Sequence, residues 1–292
     1  MTSDEARAII QRGDTVALIG AGLPAPWAGT WLSLVEDIAA ECGVGVDPDH
    51  LPRVIDQCVV ANADACDRVL RRRLPFYSIR LRAAMSYALR LPFHACLTTN
   101  FDPSVLQTAT REQFPQAYRY PDLPLDGGLK GGLYYVHGYF DSRDRANNVR
   151  SLVFGERSFE EAYSTSLLPG FLLNVLTYRR VAFIGFNPLE DSFAKLLTQS
   201  NQIRRQVANA RGVARVDFEH IALWEAPTPV TGDPAKRARD LDRIDRLAGL
   251  QVGTVSYEPG VEHEGLEELL HAWVEQGDLA HRAPPFPTAF DA

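Results

Sequence analysis

The sequence predicts an α/β fold, a doubly wound parallel sheet with a helical insertion. Short apolar runs alternate with segments of helical periodicity along most of the 292-residue chain, and this alternation is typical of parallel sheets covered by helices on both faces. Several apolar runs stop at glycine or at polar residues, as buried central strands do where they leave a sheet. A long helical stretch separates the first strand from the second and predicts the insertion.

The first two elements have clear local signals. Residues 2–11 are predicted to form a helix, because Thr2 and Glu5 have capping-box spacing at its start. Residues 15–19 are almost entirely apolar and predict a central strand that ends in glycines. The later strand candidates are 93–97, 117–120, 133–136, 180–184, 220–224 and 252–257, and helical patterns lie at 155–166, 168–178, 189–207, 234–248 and 264–276.

The helical insertion is placed at about residues 28–92. Apolar residues recur there at helical spacing, and the only strand-like segment is the short Val44-Gly45-Val46. We therefore expect one domain over residues 1–280 that contains this insertion. The proline-rich segment 281–292 is predicted to be a loose C-terminal tail.

Charge and cysteine content narrow the function classes. With 30 Lys plus Arg and 37 Asp plus Glu, the net charge is −7, which makes direct nucleic-acid binding an unfavoured function. The four cysteines, at 42, 58, 66 and 96, form no Cys-x-x-Cys pair, so we expect no zinc ribbon and no metal. The N-terminus is acidic, and arginines interrupt the longest apolar run, 171–186, so we expect a cytoplasmic protein without membrane contact.

Residues suited to ligand contact follow four of the predicted strands. In a Rossmann-like parallel sheet the carboxyl ends of the strands lie at one edge, and ligands bind in the crevice there. We therefore expect the four groups to meet at one site. They are Gly20-Ala21-Gly22, Asn100-Phe101-Asp102, His137-Gly138 and Gly185-Phe186-Asn187.

The glycine motif is open to two interpretations. Gly20 and Gly22 could let backbone amides approach a pyrophosphate, or they could simply form a tight turn. With Ala25 the motif also matches the dinucleotide fingerprint G-x-G-x-x-A. However, Pro24 and Pro26 favour a loop where that fingerprint needs the start of a helix.

The polar residues offer specific chemistry, each with a structural alternative. Asn100 could orient a hydroxyl or a water, but its amide cannot take a proton at neutral pH. His137 can, because the ordinary histidine pKa is about 6.5, although it could also be a hydrogen-bonded histidine at a turn. Asp102 could contact a ligand, or it could cap the following helix with Pro103 in the first helical position.

Taken together, these residues resemble the sirtuin superfamily, and more closely its SIR2-like branch found in bacterial antiphage defence proteins. The order of the motifs and the helical insertion agree, and the resemblance covers about residues 10–260. The matching elements are Gly20-Ala21-Gly22, Thr98-Thr99-Asn100-Phe101-Asp102, Val136-His137-Gly138 and Gly185-Phe186-Asn187 with Asp191.

The resemblance implies that NAD⁺ is the substrate and that the reaction needs no metal. It implies that Asn100 and His137 are the catalytic residues, with Asn100 near the nicotinamide ribose and His137 as the general base. The residues that it implies for NAD⁺ binding are Gly20, Ala21, Gly22, Thr99, Phe101, Asp102, Gly185, Phe186 and Asn187.

Three departures from the sirtuin deacylases bear on the reaction. No cysteine follows Cys96, so the zinc-binding module of the deacylases is not expected. Segment 23–27 stands where they have Asp-Phe-Arg, and Asn187 stands where the family usually has serine. The first two favour NAD⁺ hydrolysis, which would deplete NAD⁺ in abortive-infection defence. The alternatives are an NAD-dependent deacylase, a catalytically silent nucleotide-sensing scaffold subunit and a dehydrogenase with Asp47 as its ribose-binding acid.

The resemblance also suggests partners. We expect a homo-oligomer and a separate partner chain, either a HerA-type ATPase, as in a Sir2–HerA system, or a short Argonaute system. A basic stretch could contribute to such an interface or could be a solvated helix face. Its arginines are Arg68, Arg71, Arg72, Arg73, Arg80, Arg82 and Arg90.

Overall fold

The computed structural model describes residues 1–23, 31–74, 83–124, 129–144, 148–211, 219–259 and 264–277. In this part of the chain, seven strands pair in parallel in the order β3-β4-β2-β1-β5-β6-β7. The predicted α/β doubly wound parallel sheet is therefore confirmed. The strands are β1 (Val16–Ile19), β2 (Ala95–Thr98), β3 (Ala117–Arg119), β4 (Leu133–Tyr135), β5 (Val181–Ile184), β6 (His220–Glu225) and β7 (Val252–Tyr257).

The first strand shows why the central strands are apolar throughout. Ala17 and Ile19 pack into one hydrophobic cluster, whereas Val16 and Leu18 pack into a second cluster on the other face of the sheet. Side chains alternate between the two faces of a strand, so a strand covered on both faces needs an apolar residue at every position.

Helices cover both faces, and most begin and end close to the predicted bounds. In α1 the Thr2 Oγ1 atom accepts a hydrogen bond from the Glu5 backbone, and Glu5 accepts one from the Thr2 backbone, as the capping box predicts. The helices are α1 (Ser3–Ile10), α2 (Trp31–Cys42), α3 (Leu51–Arg73), α4 (Ala83–Arg90), α5 (Ser104–Thr108), α6 (Glu156–Glu160), α7 (Leu168–Tyr178), α8 (Asp191–Arg211), α9 (Pro234–Gly249) and α10 (Glu264–Gly277).

The predicted helix at 155–166 differs from expectation. It is divided into the short α6 and a π-helical turn, Glu161–Thr165, that follows without a break. The π-helical turn places the Tyr163 hydroxyl against His137, two residues beyond the end of β4.

The segment between β1 and β2 contributes α2, α3 and α4. Helices α2 and α3 share a third hydrophobic cluster with residues from the segment after β4, such as Phe140 and Phe154, whereas α4 packs into the same cluster as Ala17 and Ile19. The strand-like Val44-Gly45-Val46 forms no strand and connects α2 to a short 3-10 helix, Pro48–His50. The Asp47 side chain caps this turn and pairs with His50, so it belongs to the insertion and not to a strand end. The division into one domain with a tail stays a prediction, since 281–292 lies outside the described residues.

Part of the arginine stretch has a structural use. Arg68 lies 3.3 Å and Arg72 3.9 Å from carboxylate oxygens of Glu41, and Arg73 lies 3.0 Å from Asp37, so these arginines tie α3 to α2. Such partly exposed ion pairs contribute little individually. Arg80 and Arg82 fall outside the described residues, and a docking role for the stretch stays a prediction. None of the described helices combines the length and the apolar character needed to cross a membrane.

The order of the strands reverses at β1. The chain moves from β1 to β2 on one side of the sheet and later crosses to β5 on the other. In doubly wound sheets this switch point opens a crevice beyond the carboxyl ends of the two central strands. The glycine motifs that follow β1 and β5 lie at this point.

Candidate active site at the carboxyl ends of the strands

The loops that follow β1 and β5 pack directly against each other. The Gly20 N–H donates to the Ile184 carbonyl at 3.0 Å, and the Gly22 N–H donates to the Gly185 carbonyl at 2.8 Å. A Cβ atom on Gly20 would lie 2.6 Å from the Gly185 oxygen, and one on Gly185 would lie 2.5 Å from the Leu23 nitrogen. Gly185 also has a φ of +60°, so glycine is required at both positions by the close backbone approach.

This packing explains the presence of glycine at these positions without any contact to a ligand. The N–H groups of Gly20 and Gly22 are used within the protein in this arrangement, whereas Ala21 between them is exposed. Their contact with a pyrophosphate stays a prediction. The loop that Pro24 and Pro26 favour lies outside the described residues.

Asn100 is anchored to the glycine motif. Its backbone N–H donates to Thr98 Oγ1 at 3.0 Å, and its Nδ2 donates to the Gly20 carbonyl at 3.3 Å. Thr98 in turn donates to the Ile19 carbonyl, which joins the ends of β1 and β2. The residue is only 5% exposed, and no described residue donates to its Oδ1 atom. This oxygen is therefore available to accept a hydrogen bond from a hydroxyl or a water.

His137 occupies the equivalent position on the neighbouring strand. Thr98 pairs with Tyr135 in the β2–β4 register, and Asn100 and His137 each come two residues later. The tight turn at Gly138 has a φ of +87°, and the Val153 N–H donates to the His137 carbonyl at 2.9 Å. The sheet register and this turn together hold the two predicted catalytic residues on adjacent strand ends.

The His137 ring is buried, with 5% of the residue exposed. Its Nε2 atom lies 2.8 Å from the Tyr163 hydroxyl, and the rings of Phe159 and Tyr163 meet it edge-on at centroid distances of 5.1 and 5.8 Å. Burial lowers the pKa of His137 to about 3. The imidazole is therefore neutral at neutral pH, which is the form that can accept a proton.

The residues that follow Asn100 have structural contacts. Phe101 packs edge-on against Phe154 at 5.0 Å, on the side of the helical insertion. Asp102 is buried and accepts a hydrogen bond from the Ser104 backbone at 2.8 Å, a contact at the start of α5 that resembles the predicted cap. The helix begins one residue later than predicted, at Ser104, so Pro103 stands at the N-cap instead of the first helical position. Burial raises the Asp102 pKa. Contacts of Thr99, Phe101 and Asp102 with NAD⁺ stay predictions.

The residues that follow Gly185 form one wall of the crevice. Phe186 stacks on Phe183 and meets Phe193 edge-on at 4.6 Å. Asn187 is exposed, and its Oδ1 accepts a hydrogen bond from the Leu189 backbone at 3.1 Å. The contacts of Phe186 and Asn187 with NAD⁺ stay predictions.

A cavity of about 370 Å³ lies beside this wall. It is lined by predicted residues from the β1 and β5 loops, namely Gly22, Gly185, Phe186 and Asn187. Sequence reasoning missed the opposite wall, although apolar strands that end in acidic and aromatic residues could have suggested it. That wall includes Trp224 and Glu225 from β6, Tyr257 from β7, and Lys236, Asp240 and Arg243 from α9.

The candidate site therefore has two parts. Asn100 and His137 are not among the residues that line the cavity, but the Asn100 amide contacts Gly20, in the same glycine motif as the cavity residue Gly22. Among the described residues, no group of three or more histidines, cysteines or acids could hold a metal ion.

Fold and site together define a Rossmann-like α/β protein with its candidate site at the switch point of the sheet. A family model described as "SIR2-like domain" matches residues 94–240. The chain therefore belongs to the SIR2-like domain family, and the predicted resemblance is confirmed at this level.

A solved structure supports the same fold. The chain matches one from work on the structural basis for the mechanism and regulation of Sir2 enzymes, with a TM-score of 0.50, 13% identity, and coverage of 95% of this chain and 97% of that chain. It also matches a Phe-to-Ala mutant of a Sir2 homologue in complex with ADP-ribose, with a TM-score of 0.46, 12% identity, and coverage of 96% and 99%. No curated protein matches the chain.

Proposed function

We propose that this protein is an NAD⁺ glycohydrolase, which cleaves the bond between nicotinamide and C1′ of its ribose. The observation that carries the proposal is the pair Asn100 and His137, two polar residues at equivalent positions beyond adjacent buried strands. Membership of the SIR2-like family supports NAD⁺ as the nucleotide.

The chemistry needs little beyond positioning. Nicotinamide is a cationic leaving group in NAD⁺, so the bond breaks with oxocarbenium-like charge on the ribose. The Asn100 Oδ1 atom would accept a hydrogen bond from a ribose hydroxyl or from the attacking water. His137 would take the proton, a contribution of about 10²–10⁴-fold to the rate. Water and NAD⁺ give nicotinamide, ADP-ribose and one proton.

The cavity suits the adenosine half of the substrate. Its volume of about 370 Å³ lies within the usual range for ligand pockets. Trp224 and Tyr257 supply aromatic surface for a base, and a carboxylate such as that of Glu225 at a strand end can accept hydrogen bonds from ribose hydroxyls. The diphosphate would then pass the exposed Ala21 on its way to Asn100.

The sequence supports hydrolysis over deacylation. The chain has no Cys-x-x-Cys pair and lacks the Asp-Phe-Arg that follows the glycines in sirtuin deacylases. The second candidate is a catalytically silent nucleotide-binding subunit. It is favoured by the burial of His137, because a pKa of about 3 makes the imidazolium costly to form.

We also propose a biological role, which rests on the resemblance to the antiphage branch. NAD⁺ depletion would abort infection, and the protein would act as a homo-oligomer with a separate partner chain, a HerA-type ATPase or a short Argonaute system. Co-purification of such a chain from cells carrying the native operon would support this role. Recovery of the protein alone, with no effect on phage growth, would contradict it.

The enzyme proposal is tested by nicotinamide release from NAD⁺. Wild type, Asn100→Ala and His137→Ala are compared, with His271→Ala on α10 as the control because His271 is exposed and pairs with Glu275. We expect turnover in wild type and the control and loss of turnover in the other two. Full activity in folded Asn100→Ala or His137→Ala would rule out the mechanism, and NAD⁺ binding without turnover, alone and with a co-purified partner, would favour the silent subunit.

A further inference from the structure

The buried His137 has a specific partner that the proposed mechanism does not use. Its Nε2 atom lies 2.8 Å from the hydroxyl oxygen of Tyr163. Tyr163 lies in the π-helical turn Glu161–Thr165, and π-helical turns are rare and occur frequently at functional sites. The turn therefore brings a hydroxyl to the one residue that would accept the proton.

Ring packing fixes the position of this hydroxyl. The Tyr163 ring stacks on Phe159, with an interplanar angle of 15°, and meets Phe193 edge-on at 6.4 Å. Phe159 also meets His137 edge-on at 5.1 Å. Phe159 on α6 and Phe193 on α8 thus hold the Tyr163 ring between them, and Phe159 also packs against His137.

The contact can have two polarities, and they differ in consequence. A neutral imidazole has one N–H and one nitrogen lone pair. If Nε2 of His137 donates to Tyr163, Nδ1 carries the lone pair, and the same hydrogen bond persists after Nδ1 takes a proton. If Tyr163 donates to Nε2 instead, Nε2 carries the lone pair, and the hydrogen bond must reverse its direction when that nitrogen takes a proton.

We propose that Tyr163 is a positioning residue for His137, whose oxygen accepts the Nε2–H hydrogen bond and so leaves Nδ1 as the proton-accepting nitrogen. The proton comes from the ribose hydroxyl or the attacking water, and Nε2–H stays bonded to Tyr163 throughout. The proton step rests on the proposed function, whereas the polarity of the hydrogen bond does not.

The surroundings of Tyr163 keep its hydroxyl neutral. Burial raises the pKa of Tyr163 well above its usual value, and the charge of Glu190, which lies just before α8, raises it further. Tyr163 therefore stays a neutral hydroxyl, able to accept from Nε2.

The first test reads the histidine directly and needs no substrate. Protein labelled with ¹⁵N at histidine is compared for wild type, Tyr163→Phe and Tyr178→Phe, a matched control on α7 whose side chain is largely exposed. The His137 signal is assigned by its loss in His137→Gln. We expect the Nε2–H tautomer in wild type and in the control, and a mixture of tautomers in Tyr163→Phe.

Either of two results would overturn the inference: the Nδ1–H tautomer in wild type, or an unchanged His137 signal in folded Tyr163→Phe. The wild-type spectrum alone decides the polarity of the hydrogen bond, so the inference can still be tested if Tyr163→Phe misfolds. Because this measurement does not depend on turnover, it separates the inference from the proposed function.

The second test uses nicotinamide release. Tyr163→Phe should lower kcat about tenfold, the scale of one hydrogen bond to a charged group, and leave KM within about twofold. In a His137→Ala background the same change should cause no further loss, because Tyr163 acts through His137. A rise in kcat, or an additive loss in the double variant, would contradict the positioning role.

Discussion

Two buried histidines make the folded protein sensitive to acid. His137 lies two residues beyond β4, and His220 is the first residue of β6, where its Nδ1 atom accepts a hydrogen bond from the Val181 backbone at 3.1 Å. Burial lowers the pKa of each to about 3, and at His220 the charges of Arg204 and Arg180 add to the effect. Both side chains are therefore neutral in the folded protein over a range in which an unfolded histidine is charged.

The sign and size follow from proton linkage. Between about pH 6.5 and the folded-state pKa, the unfolded chain binds a proton at each histidine that the folded chain does not bind. The contribution to stability is complete above about pH 6.5 and is lost as the pH falls. Each histidine loses about 1.4 kcal/mol per pH unit in this window. Two histidines acting together would lose about 3 kcal/mol per unit, a large share of a typical unfolding free energy of about 5–15 kcal/mol.

The assay is urea unfolding at pH 7.5, 6.5, 5.5 and 4.5. His220→Asn removes one titrating ring and keeps an acceptor near the Val181 N–H, and His271→Asn is the exposed control. We expect the slope of unfolding free energy against pH to fall by about 1.4 kcal/mol per unit in His220→Asn below about pH 6. Asp102 does not obscure this, since its raised pKa acts in the opposite direction and is common to all variants. Equal slopes in His220→Asn and wild type would refute the reasoning.

Three further predictions follow from the site and its surroundings. Gly185→Ala should destabilise the protein by about 2 kcal/mol or more, as measured by urea unfolding. Gly170→Ala is the control and should be neutral or slightly stabilising, because a Cβ atom added there meets no other atom within 4 Å. Equal effects of the two substitutions would contradict the argument from close backbone approach. Ellman's reagent should label Cys42 in the folded protein and the three buried thiols only after unfolding, because buried thiols stay protonated and inaccessible. Labelling of all four cysteines at one rate would contradict this difference in accessibility. Glu225→Gln should raise KM for NAD⁺ several-fold at unchanged kcat. An unchanged KM would contradict the proposal that the adenosine half of NAD⁺ binds in the cavity.

The architecture was largely predictable from the sequence because its signals are local. The apolar run before Gly20 predicts a strand covered on both faces, and the structure shows the two clusters that cover it. Capping-box spacing at Thr2 predicts where α1 begins, and the contacts agree. The helix predicted at 155–166 was only partly correct, since a π-helical turn differs from an α-helix by its backbone pairing, which side-chain periodicity does not report.

The candidate site was predictable only in part. Asn100 and His137 stand out because each is polar and directly follows an apolar strand. Trp224 and Glu225 carry a similar signal, but their place beside Gly22 depends on the order β1-β5-β6 in the sheet. The polarity that we propose for the Tyr163 contact is invisible in a single sequence, where a tyrosine in a helical pattern has no distinguishing mark.

The sequence by itself determined the elements, the class of fold and the strand ends at which polar chemistry concentrates, because these depend on neighbours within a few residues. Only the tertiary structure decided which strand ends share a crevice, why glycine is needed where β1 and β5 meet, and which hydroxyl faces the His137 ring. Those features arise between segments far apart in the chain, where contacts depend on strand order and register.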